Sequence, residues 1–212
     1  MAKLFLLRHL KSQWNLDNRF AGWVDNPLSD EGIASAKSIS QSLLNENIDV
    51  IYTSPLIRNM ETVLRIFEYT PKYPLFIHLD GDKMQTRGHF TDLSENDVPS
   101  YVCQALNERY YGNVQGLHKD EVVKKYGEAA VRAWHRGYSQ KPPGGESLKD
   151  VCKRAIPFFK KYIRKDLHQG KNVLVVASHN SLRALVKHIE NIADNEIINL
   201  ELLFGALIEY EF

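Results

Sequence analysis

The sequence predicts an α/β fold built on a parallel sheet. Leu4-Phe5-Leu6-Leu7 and Val173-Leu174-Val175-Val176-Ala177 are short, continuous apolar runs, the pattern of strands buried on both faces. Val50-Ile51-Tyr52-Thr53-Ser54 is a third such run, and helix-periodic stretches separate the three. Strand, helix and strand in alternation favour parallel pairing, because the crossover joining two parallel strands is usually a helix.

The first strand ends at Arg8-His9, which puts both residues at its C-terminal end, where open α/β sheets bind ligands. Ser29-Asp30-Glu31-Gly32 then caps a helix whose Ile33, Ala36, Ile39, Leu43 and Leu44 recur at helical intervals. After the second strand, Pro55 is expected to begin the next helix, where its missing N–H costs little. Residues 74–79 read as a further strand followed by an Asp80-Gly81 turn. The surrounding stretch 71–104 mixes Asp, Gly, Ser and Pro and reads as a surface insertion bordering the site. Helical periodicity returns over 120–138 and over 147–167, where Val151, Ala155, Phe158, Phe159 and Ile163 form the apolar face, and Gly170-Lys171 ends that helix. Beyond the central strand at 173–177, Asn180 or Ser181 is the expected helix cap, and 206–210 reads as the last strand.

With 212 residues and no linker, repeat or low-complexity tract, the chain is expected to form one domain over 1–212. Lys plus Arg number 27 and Asp plus Glu 26, so no global charge excess draws nucleic acid or an anionic membrane, and any anion site is built locally. The opening apolar run is too short for a secretory signal, and no run approaches the roughly 18 apolar residues of a bilayer-spanning helix; a cytoplasmic protein is expected. Cys103 and Cys152 lack C-x-x-C spacing and no histidines cluster at ligand intervals, so free thiols and no metal are expected. His78, His89, His118, His168 and His188 read as surface or packing residues. Neither glycine-rich nucleotide-binding motif occurs, which argues against a nucleotide kinase.

Arg8-His9 at a strand end points to phosphoryl transfer. A guanidinium offers a planar fork to phosphate oxygens, and a neighbouring neutral imidazole can attack phosphorus and carry the phosphoryl group. The run Arg8-His9-Leu10-Lys11-Ser12-Gln13-Trp14-Asn15, continued by Asn18-Arg19-Phe20-Ala21-Gly22-Trp23, resembles the N-terminal signature of the cofactor-dependent phosphoglycerate mutases, members of the histidine phosphatase superfamily. Further matching blocks are Tyr52-Thr53-Ser54-Pro55-Leu56-Ile57-Arg58, Leu106-Asn107-Glu108-Arg109-Tyr110-Tyr111-Gly112, Gln115-Gly116-Leu117-His118-Lys119, Pro142-Pro143-Gly144-Gly145-Glu146-Ser147-Leu148 and Asn180-Ser181-Leu182-Arg183-Ala184-Leu185.

The resemblance implies a phosphoglycerate-mutase-like, three-layer α/β/α fold with a mostly parallel central sheet. It also implies His9 as nucleophile, Arg8 and Arg58 as phosphate-binding cations, and Glu108 as the carboxylate that moves the substrate's proton. Substrate capture falls by the same resemblance to Ser12, Asn15, Ala21, Gly22, Tyr111, Lys119, His135, Arg136 and Asn180. The implied primer is 2,3-bisphosphoglycerate, with no metal. The implied partners are a small phosphorylated substrate and further copies of the chain, as a homodimer or homotetramer.

Several positions depart from the family pattern. Leu10 stands where a glycine is usual and is expected to narrow the pocket. Ser178-His179-Asn180-Ser181 replaces His-Gly-Asn-Ser, which aligns Ser178 with the phosphoryl group and leaves His179 to reach it only if the strand's alternation relaxes at its end. His135 replaces one of two adjacent arginines, weakening a carboxylate or phosphate clamp unless the ring is protonated, and Ala21 replaces a threonine. The last residues lack the family's basic tail, which tilts the expectation toward hydrolysis. The function expected first is interconversion of 3- and 2-phosphoglycerate in glycolysis and gluconeogenesis. A small-molecule histidine-type phosphatase, and a catalytically impaired homologue that binds phosphorylated metabolites or a partner, are the alternatives.

Overall fold

The computed structural model describes residues 1–81 and 93–212. Six strands form one sheet: β1 (Lys3–Arg8), β2 (Val50–Thr53), β3 (Tyr73–His78), β4 (Asp97–Val102), β5 (Val173–Ala177) and β6 (Leu207–Glu211). Their order is β3-β4-β2-β5-β1-β6, with every pairing parallel except β1 with β6. Alternate residues of the central strands enter two separate cores. Leu4, Leu6, Val50, Tyr52, Val173 and Val175 face one, while Phe5, Leu7, Ile51, Leu174 and Val176 face the other. Helix α2 (Asp30–Leu43) and α3 (Ile57–Phe67) cover the second core through Ala36, Leu43, Val63 and Ile66. The first is covered by α6 (Leu148–Phe158) and α8 (His179–Ile189) through Leu148, Val151, Ala155, Leu182 and Leu185. The result is the expected three-layer α/β/α arrangement.

Local chemistry sets most boundaries. Ser29 caps α2 by accepting from the Gly32 N–H at 3.1 Å, as its motif predicts. Helix α3 opens two residues later than expected, because Leu56 is still extended and the orphan N–H of Ile57 is taken by the Asp25 carboxylate at 2.9 Å. The cap comes from a residue 32 positions away, so no local motif advertises it. The 120–138 periodicity resolves into α4 (Lys119–Tyr126) and α5 (Glu128–Arg136), split at Gly127, whose φ of +83° suits glycine. Beyond α6, the chain widens into a π turn (Phe159–Ile163) directly after Pro157, which has no N–H to give the ladder, and continues as α7 (Arg164–His168). A four-residue α1 (Gln13–Leu16) follows the first strand.

The reading of 71–104 as a surface insertion needs correction. Both flanks lie in the sheet, as β3 and β4, and β4 was not anticipated. In β4, Val98, Ser100 and Val102 are buried while Asp97, Pro99 and Tyr101 are not, an alternation in which a central proline and serine hide the strand signal. Residues 82–92, His89 among them, lie outside the described residues.

Leu174 lies in the middle of β5, fully buried between β1 and β2. Truncation to alanine there leaves a cavity in a sheet covered on both faces and is expected to cost about 3 kcal/mol in urea unfolding.

Candidate active site

The site stands at the C-terminal edge of the sheet, where β1 and β5 run side by side. Arg8 pairs with Ala177 in the parallel register, and the His9 N–H donates to the Ala177 carbonyl at 3.1 Å. The chain ends of both strands are thereby held together. His9 is buried, and its Nδ1 lies 2.6 Å from the Leu10 carbonyl oxygen. A carbonyl only accepts, so Nδ1 carries the hydrogen and Nε2 keeps its lone pair. Burial first, then the Arg58 and Arg8 charges, hold the imidazole well below its usual pKa, so it is neutral at physiological pH.

Leu10 does not narrow the cavity. Its side chain joins the core beneath α2 and α3, its end lies beside Gly205, and its N–H donates to Thr62 Oγ1 at 3.0 Å.

A cavity of about 200 Å³ opens over His9, lined by Arg8, Asn15, Arg19, Phe20, Ala21, Gly22, Arg58, Glu108, Tyr111, Lys119, His135, His179, Glu201, Leu203 and Phe204. Arg58, fully buried, is locked by donating to the carbonyls of Val24 at 3.0 Å and Gly22 at 2.7 Å. Arg8 donates to the Leu202 carbonyl and lies 3.7 Å from the centre of the Phe204 ring. Burial lowers the Arg8 pKa to about 10, which leaves it charged. Lys119, at the start of α4, is likewise lowered by burial and then by the Arg8 charge. Asn15 accepts from Ser12 Oγ at 2.8 Å and Ser12 N at 3.2 Å through Oδ1, which aims the amide and frees Nδ2 for a ligand.

Glu108 is fixed from two sides. Its Oε1 accepts from Asn180 Nδ2 and from the Arg109 N–H, both at 2.7 Å. Beneath it, Arg154 donates to the carbonyls of Ala105, Asn107 and Glu108 and pairs with Glu146 at 2.9 Å.

At the end of β5 the structure places His179, and not Ser178, on the cavity. The strand stops at Ala177, Ser178 is the N-cap of α8, and His179 is its first helical residue, so strand alternation no longer governs where it points. His179 lines the cavity, with its ring centroid 6.2 Å from that of His135. Its Nε2 accepts from the Leu202 N–H at 3.4 Å, which leaves Nδ1–H as its donor. Burial, followed by the Arg8 charge, keeps this ring neutral as well. Ser178, in contrast, turns away from the cavity to accept from Asn59 Nδ2 at 3.2 Å. The cap thus falls at Ser178, two residues before Asn180 and three before Ser181, the expected caps.

Of the other expected ligand residues, Ser12 and Asn180 sit behind the cavity, and Arg136 lines a groove that shares Phe20, Lys119 and His135 with it. Ser12 caps α1 and orients Asn15, and Asn180 holds Glu108. Arg136 lies in a neighbouring groove with its Nη2 paired to Glu201 at 2.6 Å. His135 does line the cavity, but burial and then Arg109 lower its pKa to about 3, so the charge its clamp would need is not there at neutral pH. Arg19, Phe20, Glu201, Leu203 and Phe204 were not anticipated as cavity residues. The last three follow the Ile197–Asn199 turn and reach the site only because β6 pairs with β1, a contact with no local sequence signal. Arg183 fastens these pieces by donating to the carbonyls of Arg136 and Ile197 at 2.6 Å each and to Asn180 Oδ1 at 3.1 Å.

The profile of the histidine phosphatase superfamily (branch 1) matches residues 4–78 and 85–212. The chain belongs to that superfamily. A protein of Chlamydia pneumoniae named 2,3-bisphosphoglycerate-dependent phosphoglycerate mutase is 41% identical over 100% of this chain and 94% of its own length. One of the same name from Gloeothece citriformis (strain PCC 7424) is 43% identical, again over 100% and 94%. Among solved structures, the mycobacterial glucosyl-3-phosphoglycerate phosphatase complexed with VO3 superposes with a TM-score of 0.78 over 99% of this chain and 92% of that one, at 21% identity, which is a likeness of fold.

The cavity is lined by arginine, lysine and histidine side chains and by the carboxylates of Glu108 and Glu201. Among the described residues no group of three or more His, Cys, Asp or Glu side chains is placed to hold a metal, Cys103 and Cys152 are free, and no helix is long and apolar enough to cross a membrane.

His9, His135 and His179 all have folded pKa values below the unfolded value of about 6.5. The unfolded chain binds protons that the folded chain refuses, so their contribution to stability is complete above that value and is lost as pH falls below it. For His135 the window reaches down to about 3. Each histidine adds up to about 1.4 kcal/mol per pH unit to the slope. Urea unfolding at pH 7.5 and 5.5 is expected to show this loss, and His135→Asn to remove about a third of it.

Proposed function

We propose that this protein is a 2,3-bisphosphoglycerate-dependent phosphoglycerate mutase that interconverts 3-phosphoglycerate and 2-phosphoglycerate through a phosphohistidine at His9. The observation that carries the reading is the His9 ring: neutral, with Nε2 as its free lone pair, set between Arg8 and Arg58 in a cavity that Glu108 also lines. The two full-length mutase relatives support the same reading.

The primer, 2,3-bisphosphoglycerate, would supply the phosphoryl group that charges His9. The cavity suits such a polyanion: Arg8, Arg58, Lys119 and Arg19 line it, and Arg8 Nε is buried without a partner among the described residues. Arg8 and Arg58 would hold the transferring group, with Lys119, Asn15 and the backbone at Ala21 and Gly22 among the groups that hold the rest.

In the transfer from His9, the Glu108 carboxylate takes the proton of the free hydroxyl of bound phosphoglycerate. The freed oxygen forms a bond to phosphorus as the bond from phosphorus to Nε2 breaks, and the electron pair returns to Nε2. Back-transfer from the other position runs in reverse: Nε2 displaces the second oxygen, which recovers the proton from Glu108. Atoms and charge close, and His9 ends phosphorylated as it began. Arg8 and Arg58 are preorganised donors for the equatorial oxygens, where charge accumulates, and Nδ1–H of His179 supplies a neutral hydrogen bond in place of Ser178.

The same proposal places the enzyme in the cytoplasm, in glycolysis and gluconeogenesis, acting on a small phosphorylated substrate as a homodimer or homotetramer, with no nucleic-acid or membrane partner.

A coupled assay primed with 2,3-bisphosphoglycerate is expected to show isomerisation and an acid-labile phosphate on His9, both absent from His9→Ala. Inorganic phosphate released without isomerisation would instead identify a phosphatase, and binding without any transfer an impaired homologue. His179→Ala is expected to lower kcat by about a hundredfold, the loss of one oxyanion donor, while Ser178→Ala stays within about threefold. Glu108→Gln is expected to cost on the order of 10²- to 10⁴-fold in kcat with phosphate binding retained.

A further inference from the structure

Glu201 is, with Glu108, one of two acidic side chains in a cavity whose arginines and lysine are placed for anions. It stands between the Ile197–Asn199 turn and β6, shares the cavity lining with Arg8, His9 and Phe204, and pairs with Arg136 Nη2 at 2.6 Å. Arg136 is held in place through its own backbone, whose carbonyl accepts from Arg183 at 2.6 Å, and its Nη1 is buried without a partner among the described residues. The Glu201 side chain is 54% exposed, against 22% for Arg136. Glu201 can therefore swing into solvent at little desolvation cost, whereas Arg136 is the more buried of the pair.

We propose that Glu201 is a specificity-determining residue, an internal carboxylate that occupies Arg136 and that the carboxylate of the substrate must displace. The nature of that substrate rests on the mutase reading. A planar guanidinium accepts one carboxylate in its fork at a time, so the two carboxylates compete for it. With His135 neutral beside it, Arg136 is the cation that could meet the carboxylate end of the ligand while the phosphate end sits over His9. Glu201 thus lowers affinity for phosphate esters that carry a carboxylate, relative to those that do not.

The test compares two ligands that share a phosphate end. Titration calorimetry of the intact protein with 3-phosphoglycerate and with glycerol 3-phosphate, which lacks the carboxylate, reads the competition without turnover. Glu201→Gln keeps the shape and removes the charge. It is expected to tighten 3-phosphoglycerate about three- to fivefold and to change glycerol 3-phosphate by less than about twofold. In turnover, KM falls while kcat is unchanged. Adding Arg136→Gln to Glu201→Gln abolishes the gain, because the cation that Glu201 releases is then absent. Equal tightening of both ligands, or no tightening of 3-phosphoglycerate, overturns the proposal. Selective tightening in a protein that does not isomerise supports the role of Glu201 and overturns the mutase reading instead.

Discussion

The parallel pairing of β1 with β5, closed by the His9 N–H on the Ala177 carbonyl, is the contact on which the site depends. It sets the ends of two buried strands side by side, so the chain leaving one supplies Arg8 and His9 and the chain leaving the other supplies His179 and Asn180. Residues some 170 positions apart in the chain become neighbours without long or flexible loops. The strands themselves are rigid because both faces are covered, and the apolar side chains of β5 and of β1 between Lys3 and Arg8 divide between two cores. That rigidity is what preorganised electrostatics requires, since donors that must move to meet developing charge lose much of their effect.

The second constraint is charge. Arg8, Arg58 and Lys119 stand around one buried cavity, and each costs desolvation that an anion would offset. The protein tolerates the cluster by fixing the guanidinia on carbonyls: Val24 and Gly22 for Arg58, Leu202 for Arg8. Burial, reinforced by the same field, keeps His9, His135 and His179 neutral. Burial and one local potential together thus explain why His9 keeps a free lone pair and why His135 is a poor stand-in for a second arginine. Glu201 answers the remaining positive charge at Arg136 from within the protein.

How far the sequence could be read depended on how local each signal is. Strand runs at 4–7, 50–54 and 173–177 and the Ser29 cap are statements about neighbouring residues, and the structure agrees with them. Helix α3 is capped by Asp25 and β4 is held by its place between β3 and β2, so both were misread or missed. The Ser178-His179 question turned on a single residue: where β5 ends. With Ser178 as the cap, His179 belongs to a helix and points inward, and no count along the strand could have said so.

By itself the sequence determined the layer order of the fold, the end of the sheet where the cavity opens and the residue types gathered there, because apolar periodicity and contiguous motifs are properties of short stretches of chain. Tertiary structure alone decided which of those residues line the cavity. Ser12 and Asn180 became supports for Asn15 and Glu108, Leu10 went into the core, Arg136 was taken by Glu201, and Leu203 and Phe204 came over His9 through the pairing of β6 with β1. Side-chain direction, ion pairing and burial are set by contacts between distant segments, and those exist only once the sheet has closed.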